Sequence, residues 1–129
     1  MAEIEKRLRH APRVGPGDVS AVRTISGIYA AWYGRKCLYV GRSGNLQSRL
    51  KSHFSGRRGG DQFCLYVYDK YIHGIRPRNL TTPEVDELTA KWIREGVRFR
   101  WAVVSDARAR RVERHFRVRL QPSLNALPE

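Results

Sequence analysis

Apolar residues along the chain fall into short blocks, some spaced as in a strand and others as in a helix. Gly27 to Tyr33 (GIYAAWY) and Lys36 to Val40 (KCLYV) are rich in aromatic and branched residues. With Gly34-Arg35 as a tight turn between them, they predict a β-hairpin. Gly41 to Gly44 (GRSG) reads as a turn. Leu46, Leu50 and Phe54 recur every four residues, which predicts a helix to about Phe54 with Asn45 as its N-cap. Ser55 to Asp61 (SGRRGGD) is a flexible basic loop, and Gln62 to Tyr68 (QFCLYVY) reads as another strand. DKYIHGIRPRNL is irregular. Thr82 then reads as an N-cap followed by Pro83 in the first helical position. The helix from Glu84 to Glu95 starts acidic and ends near Arg94, as its dipole prefers. Val85, Leu88 and Trp92 form its apolar face, and Gly96 stops it. Val97 to Val104 (VRFRWAVV) alternates at first, as a half-exposed strand does. Asp106 caps a last helix to about Leu120, on which Ala109, Val112, Phe116 and Leu120 share a face. The pattern contains no internal repeat and no second domain.

Composition narrows the class. The chain has 129 residues, 41% of them hydrophobic, enough for one domain with a real core. Lys and Arg number 25 against 12 Asp and Glu, a formal net charge of +13, most of it arginine. Arginine's planar fork suits bidentate phosphate contacts, so the expected partner is a polyanion, nucleic acid first. Cys37 and Cys64 make no CxxC pair, which argues against a zinc knuckle, and both sit in apolar runs as buried free thiols. No apolar run reaches membrane-spanning length and no signal-peptide pattern opens the chain, so the expectation is a soluble, cytoplasmic protein.

Residues 1–25 read as a basic N-terminal arm. AEIEKRLRH can make two helical turns with Ile4 and Leu8 as a narrow stripe, and APRVGPGDVS must be loop. Docking on the core, reaching along DNA through Arg7, Arg9, Arg13 and Arg23, and a mobile terminus all fit this segment.

Two segments carry candidate chemistry. On the last helix Glu113 lies at the edge of the apolar face, and Arg108, Arg110, Arg111, Arg114, Arg117 and Arg119 cover most of the remainder. Glu113 fits an ion pair with Arg110 or Arg117, the reading this helix alone favours, or a metal ligand facing a phosphate. The many like charges repel, so an anionic partner is the economical reading of the helix. In the earlier helix Arg49 and His53 are four apart and share a face, which aims a guanidinium and an imidazole over the hairpin carrying Tyr29 and Tyr39.

Taken together, Gly27-Ile28-Tyr29, Tyr39-Val40-Gly41, Arg49 with His53, Glu113, and Asn125 after Pro122 resemble the GIY-YIG nuclease superfamily, in a compact stand-alone or restriction-enzyme-like form. Order and spacing agree from Gly27 to Asn125. Val40 stands where isoleucine is usual, a loss of one methylene. The resemblance implies an α+β fold, a small antiparallel three-stranded sheet flanked by helices, with strands at Gly27–Tyr33, Lys36–Val40 and Phe99–Val104. Residues 26–129 then form the nuclease domain, and about 56–96 look like an insertion carrying the extra strand and helix.

The implied activity is metal-dependent DNA endonuclease cleavage, phosphodiester hydrolysis with tyrosine-activated water and one magnesium (or manganese) ion. Tyr29 matches the family's base, and Arg42 and Arg49 are the cations that would favour its phenolate. Arg49 would stabilise charge on the phosphoryl oxygens, Glu113 would hold the metal, Tyr39 and His53 would orient the site, and Asn125 would brace it. Whether Tyr29 or His53 is the general base stays open. Arg57, Arg58, Arg108, Arg110, Arg111, Arg114 and Arg117 are the candidate nucleic-acid contacts, with double-stranded DNA as the expected substrate. Restriction-type and structure-directed specificity both fit, and a homodimer is one route to double-strand cleavage. The alternative is a non-catalytic basic DNA- or RNA-binding module that keeps the fold.

Overall fold

Strand β1 (Gly27–Tyr33) is buried along nearly its whole length, and the rest of the molecule is laid on its two faces. It pairs antiparallel with β2 (Lys36–Ser43) and with β3 (Val97–Val103), giving the sheet order β2–β1–β3. The computed structural model describes residues 1–125, so the last four residues of the 26–129 domain lie outside the described residues. The hairpin and the third strand stand where the apolar blocks predicted them. β2, however, runs on through Gly41–Ser43, because these residues continue the ladder opposite Gly27–Tyr29; they are strand and not turn.

Side chains alternate across β1, so each face has its own core. Ile28, Ala30 and Trp32 pack with Val40, Val112 and Phe116 on one side, under α1 (Ala2–His10) and α5 (Asp106–Leu120). Tyr29 and Ala31 face the other side, with Phe99, Leu46 and Leu50, under α2 (Leu46–Phe54) and α3 (Gln62–Val67). A register shift between Ala31 and Trp32 leaves Leu38 as an extra residue on β2. This bulge turns both Leu38 and Tyr39 toward the α2 side.

Both edges of the sheet are covered. Val14 exchanges two backbone hydrogen bonds with Phe99 at the β3 edge (2.7 and 3.0 Å). At the β2 edge Ser123 and Leu124 donate to the carbonyls of Cys37 and Leu38. Neither edge strand is left as an open template for another chain. Residues 1–25 therefore contribute to the packing: Leu8 is fully buried, Trp32 Nε1 donates to the Leu8 carbonyl at 3.0 Å, and Val19 and Val22 join the α2-side core.

Residues 62–72 differ most from expectation. Gln62–Tyr68 is not a strand but α3 running into a π-helical turn, Tyr68–Ile72. Asp61 caps α3 by accepting from Cys64 N at 2.9 Å, and Phe63, Cys64 and Val67 turn inward at helical spacing. The segment read as carrying an inserted strand and helix is thus helical in both parts. Two caps shift by one residue. α4 (Thr82–Gly96) is capped by Thr81, whose hydroxyl accepts from Glu84 N while Glu84 accepts from Thr81 N. Ser105 precedes α5, and Asp106 is its first helical residue. α4 buries Val85, Thr89, Ala90 and Ile93; Leu88 and Trp92 are half-buried against a satellite cluster with Tyr68 and Ile72. Cys37 and Cys64 are buried free thiols on opposite faces of the sheet. Among the described residues no helix is long and apolar enough to cross a membrane.

Candidate active site

α2 lies on one face of the sheet and α5 on the other. Together with β1 and β2 they bound a cleft of about 410 Å³ lined by Tyr29, Tyr39, Arg42, Arg49, Glu113 and Arg117, with Ser43, Gly44, Asp106 and Ala109. Five of the seven site residues chosen from sequence meet here. His53 is buried directly behind Tyr29, and Asn125 sits outside the cleft on the strand that forms its edge.

The tyrosines are set by two glycines. Tyr29 on β1 faces Gly41 on β2, and a Cβ at Gly41 would overlap the Tyr29 ring and hydroxyl, so the glycine is the space the ring occupies. A Cβ at Gly27 would likewise strike the Ala102 carbonyl and Leu46, so this glycine lets α2 and β3 close on the start of β1. Tyr39 lies beside Tyr29 with ring centroids 6.2 Å apart, and its hydroxyl makes no hydrogen bond among the described residues. Its contacts with Tyr29, His53, Phe63 and Tyr66 are ring contacts.

Behind the cleft runs a buried polar chain. The Tyr29 hydroxyl is 2.7 Å from His53 Nε2, and His53 Nδ1 is 2.7 Å from Asp61 Oδ2. Asp61 also accepts from Ser52 Oγ (2.6 Å) and from Cys64 N. Burial alone would raise the Asp61 carboxyl, but donation from His53, and then from Ser52 and Cys64, holds it down at about 2. An ionised carboxylate only accepts, so His53 Nδ1 carries the proton. Burial lowers His53 below its ordinary value, against the pull of Asp61, so the ring is neutral near pH 7. Its Nε2 is then a bare acceptor, and Tyr29 donates to it.

Burial also pushes the Tyr29 phenol well above its usual value, with Tyr39 adding to this and Arg49 opposing it. Arg49 does favour the phenolate, as anticipated, but desolvation outweighs it. Arg42 is engaged elsewhere, its Nε 3.4 Å from Glu113 Oε1. Tyr39 is raised to about 12, first by burial and then by Glu113. Arg49 lines the cleft with no carboxylate at ion-pair distance among the described residues.

Glu113 lies between Arg42 and Arg117 Nη2 (3.8 Å), so its in-helix partner is Arg117, with Arg42 arriving from β2. Both contacts are long, and the carboxylate keeps free lone pairs facing the cleft. The carboxylates lining it, Glu113 and Asp106, are hard oxygen donors, and no group of three or more His, Cys, Asp or Glu that could hold a metal occurs among the described residues. This set fits a magnesium-like ion that keeps most of its water and takes one or two carboxylates. It does not fit a zinc site.

Asn125 spans β2's outer edge at the second motif. Its Oδ1 accepts from Val40 N at 2.7 Å and its Nδ2 donates to the Val40 carbonyl at 2.9 Å. One side chain thus replaces a neighbouring strand for the residue between Tyr39 and Gly41.

The basic candidates divide. Arg108, Arg110, Arg111 and Arg114 are exposed on α5, and Arg57 is exposed on the loop after α2. Arg58 is tied down, with Nε 2.7 Å from Asp86 Oδ1 and its guanidinium 4.4 Å over the Tyr68 ring. Arg117 is half-buried, and its Nε has no hydrogen-bond partner among the described residues. Sequence reasoning missed Asp61. Its signal is a carboxylate three residues before Cys64 in N-cap position, which the strand reading of 62–68 concealed.

Compared with known families, residues 25–94 match the GIY-YIG catalytic domain, more than half of the chain. The match includes both motifs, Arg49 and His53, and it runs through most of the stretch read as an insertion but stops before Glu113 and Asn125. No curated protein and no solved structure matches the chain. Nucleases built on this domain generally depend on a divalent metal. With the motif tyrosines, the antiparallel sheet and this match in agreement, the chain belongs to the GIY-YIG family of the nuclease superfamily.

Proposed function

We propose that the protein is a metal-dependent DNA endonuclease that hydrolyses phosphodiester bonds in the cleft at the edge of β2. The observation that supports this reading is the convergence of Tyr29, Arg49 and Glu113, from three separate elements, on one polar cleft flanked by exposed arginines. Tyr29 takes a proton from the attacking water. Arg49 is the cleft cation without a carboxylate partner among the described residues, and it stabilises the charge that grows on the phosphoryl oxygens. Glu113 holds a divalent cation, magnesium or manganese, which when bound supplies Lewis-acid stabilisation to the leaving 3′ oxygen. Tyr39 and His53 hold Tyr29 in place, and Asn125 holds the Tyr39-Val40-Gly41 edge against the cleft. Arg57, Arg108, Arg110, Arg111 and Arg114 carry the duplex by its phosphates, with the half-buried Arg117 at the inner end of that surface. Arg58 belongs to the packing of the loop through Asp86. The enzyme acts on double-stranded DNA in the cytoplasm. Cutting both strands takes a homodimer or two successive nicks, because the chain has a single cleft of this kind among the described residues.

Incubation of supercoiled plasmid with magnesium, manganese or EDTA tests the activity. Nicking that requires metal and is lost in Glu113→Ala is the expected result, with DNA binding retained. Removing a carboxylate beside Arg42 and Arg117 should leave affinity equal or tighter, since the cleft becomes more positive. Cleavage that persists in Glu113→Ala overturns the metal assignment. DNA binding without cleavage under any metal favours the non-catalytic module, and selective cutting of RNA changes the substrate.

A further inference from the structure

The chain from Tyr29 through His53 to Asp61 has a member that no motif contains. We propose that Asp61 is a positioning residue for the reaction: its carboxylate fixes His53 with the proton on Nδ1, so that Nε2 accepts the Tyr29 proton as Tyr29 takes one from the attacking water. The inference rests on the nuclease reading above, with Tyr29 at the reacting centre.

Three groups donate to the Asp61 carboxylate, His53 Nδ1 and Ser52 Oγ to one oxygen and Cys64 N to the other. The residue is buried and so is His53, so neither orientation is averaged by solvent. The imidazole packs against the Phe63 and Phe99 rings, 4.8 and 5.8 Å away, with Tyr39 edge-on at 6.2 Å. Cys64 Sγ donates to the His53 carbonyl at 3.3 Å, which holds the same backbone. Charged or titratable groups that face the ring are therefore Tyr29 from β1, Tyr39 from β2, Asp61 and Cys64 from the start of α3, and Arg49 from its own helix.

A phenol this deeply buried is a poor resident phenolate. It works as a relay instead. Water oxygen bonds to phosphorus and the bond to the 3′ oxygen breaks. The water proton passes to the Tyr29 oxygen, and the Tyr29 proton passes to His53 Nε2. The imidazolium so formed donates to Asp61 on one side and Tyr29 on the other, and the leaving oxygen takes its proton from solvent. Without the carboxylate, the imidazolium would be a lone charge in an aromatic pocket.

Asp61→Asn tests this without removing the helix cap, because asparagine is as good an N-cap as aspartate. Its carbonyl keeps Cys64 N, so its amide turns to His53 and donates to Nδ1. The proton then resides on Nε2, which donates to Tyr29 and cannot accept from it. The expected loss in kcat is about 10²–10⁴-fold, with KM and DNA affinity unchanged. The acid limb of the pH–rate profile should move to lower pH, since the carboxylate no longer favours the imidazolium. Nitrogen-15 resonances of the His53 ring should report Nδ1–H in the wild type and Nε2–H in the variant. This spectrum needs no activity, and its wild-type half decides the matter even if the variant fails to fold. A wild-type ring protonated on Nε2, or an Asn variant that cleaves like the wild type, overturns the proposal and leaves the nuclease reading standing. A wild type that cleaves no nucleic acid with any metal overturns both.

Discussion

Tyr29→Phe removes a single oxygen atom and should separate the chemistry of the cleft from its packing. Among the described residues the hydroxyl has one partner, His53 Nε2 at 2.7 Å, and His53 is only 2% exposed. Phenylalanine keeps the edge-on contact with Phe99, at 6.0 Å between centroids, so little apolar burial is lost. What is lost is the donor to a buried nitrogen. Leaving such an acceptor unsatisfied costs about 1–3 kcal/mol. With a urea slope of about 2 kcal/mol/M, the unfolding midpoint should fall by roughly 0.5–1.5 M. The same change in a His53→Leu background should have the opposite sign, because there the tyrosine hydroxyl is itself the stranded group. Cleavage should fall by at least about 10²-fold, the usual size of a lost proton-transfer partner. DNA affinity should hold, since no charge changes. Urea melts of the four proteins in the cycle, with plasmid nicking and filter binding on the single variants, measure all of this. Wild-type cleavage by Tyr29→Phe refutes the tyrosine as base. Equal stability losses in both backgrounds refute the buried hydrogen bond.

Other consequences are independent of that bond. Stability should fall in two stages as pH drops. His53, whose folded value lies below its ordinary 6.5, takes up a proton more readily when unfolded, so stability declines below about pH 6.5. Asp61, held at about 2 from an ordinary 3.8, contributes stability fully above about pH 4 and loses it as pH falls toward 2. That second contribution is roughly 2 kcal/mol and should vanish in Asp61→Asn, as pH-dependent urea melts would read. DNA affinity should fall steeply with salt, and Arg108→Ala or Arg111→Ala should each flatten the log–log slope by about 0.9; an unchanged slope removes that arginine from the interface. Asn125→Ala strands both polar groups of Val40 at the strand edge and should cost about 1–3 kcal/mol. It should lower kcat through the Tyr39 edge, and full activity in that variant would make the brace purely structural.

How much of this could be read beforehand depends on whether spacing and capping agreed. In α2 they did: Leu46, Leu50 and Phe54 mark one face, and Asn45 accepts from Ser48 N as its position predicts. The hairpin was legible for a similar reason, with a two-residue turn between β-prone runs. QFCLYVY was not legible, because apolar residues fill every place after Gln62 and leave no polar gap to distinguish a period of two from one of 3.6. Only the cap could decide, and Asp61 had been assigned to a loop.

The same limit applied to the site. Residue identities announce which groups meet, but their protonation depends on what surrounds them. Nothing in the linear order of Tyr29, Arg42 and Arg49 reveals that burial outweighs Arg49, or that Arg42 is turned to Glu113 across the cleft. Those facts come from where β2 ends and how α5 crosses it. In the proposed relay the imidazolium that forms is stabilised by an anion on its far side. The carboxylate at that position is Asp61, the residue that also caps α3. Capping the helix and fixing the imidazole therefore draw on one carboxylate, and a replacement that preserves the cap can still disable the proton path. That separation is the sharpest difference between a residue kept for the fold and one kept for the reaction.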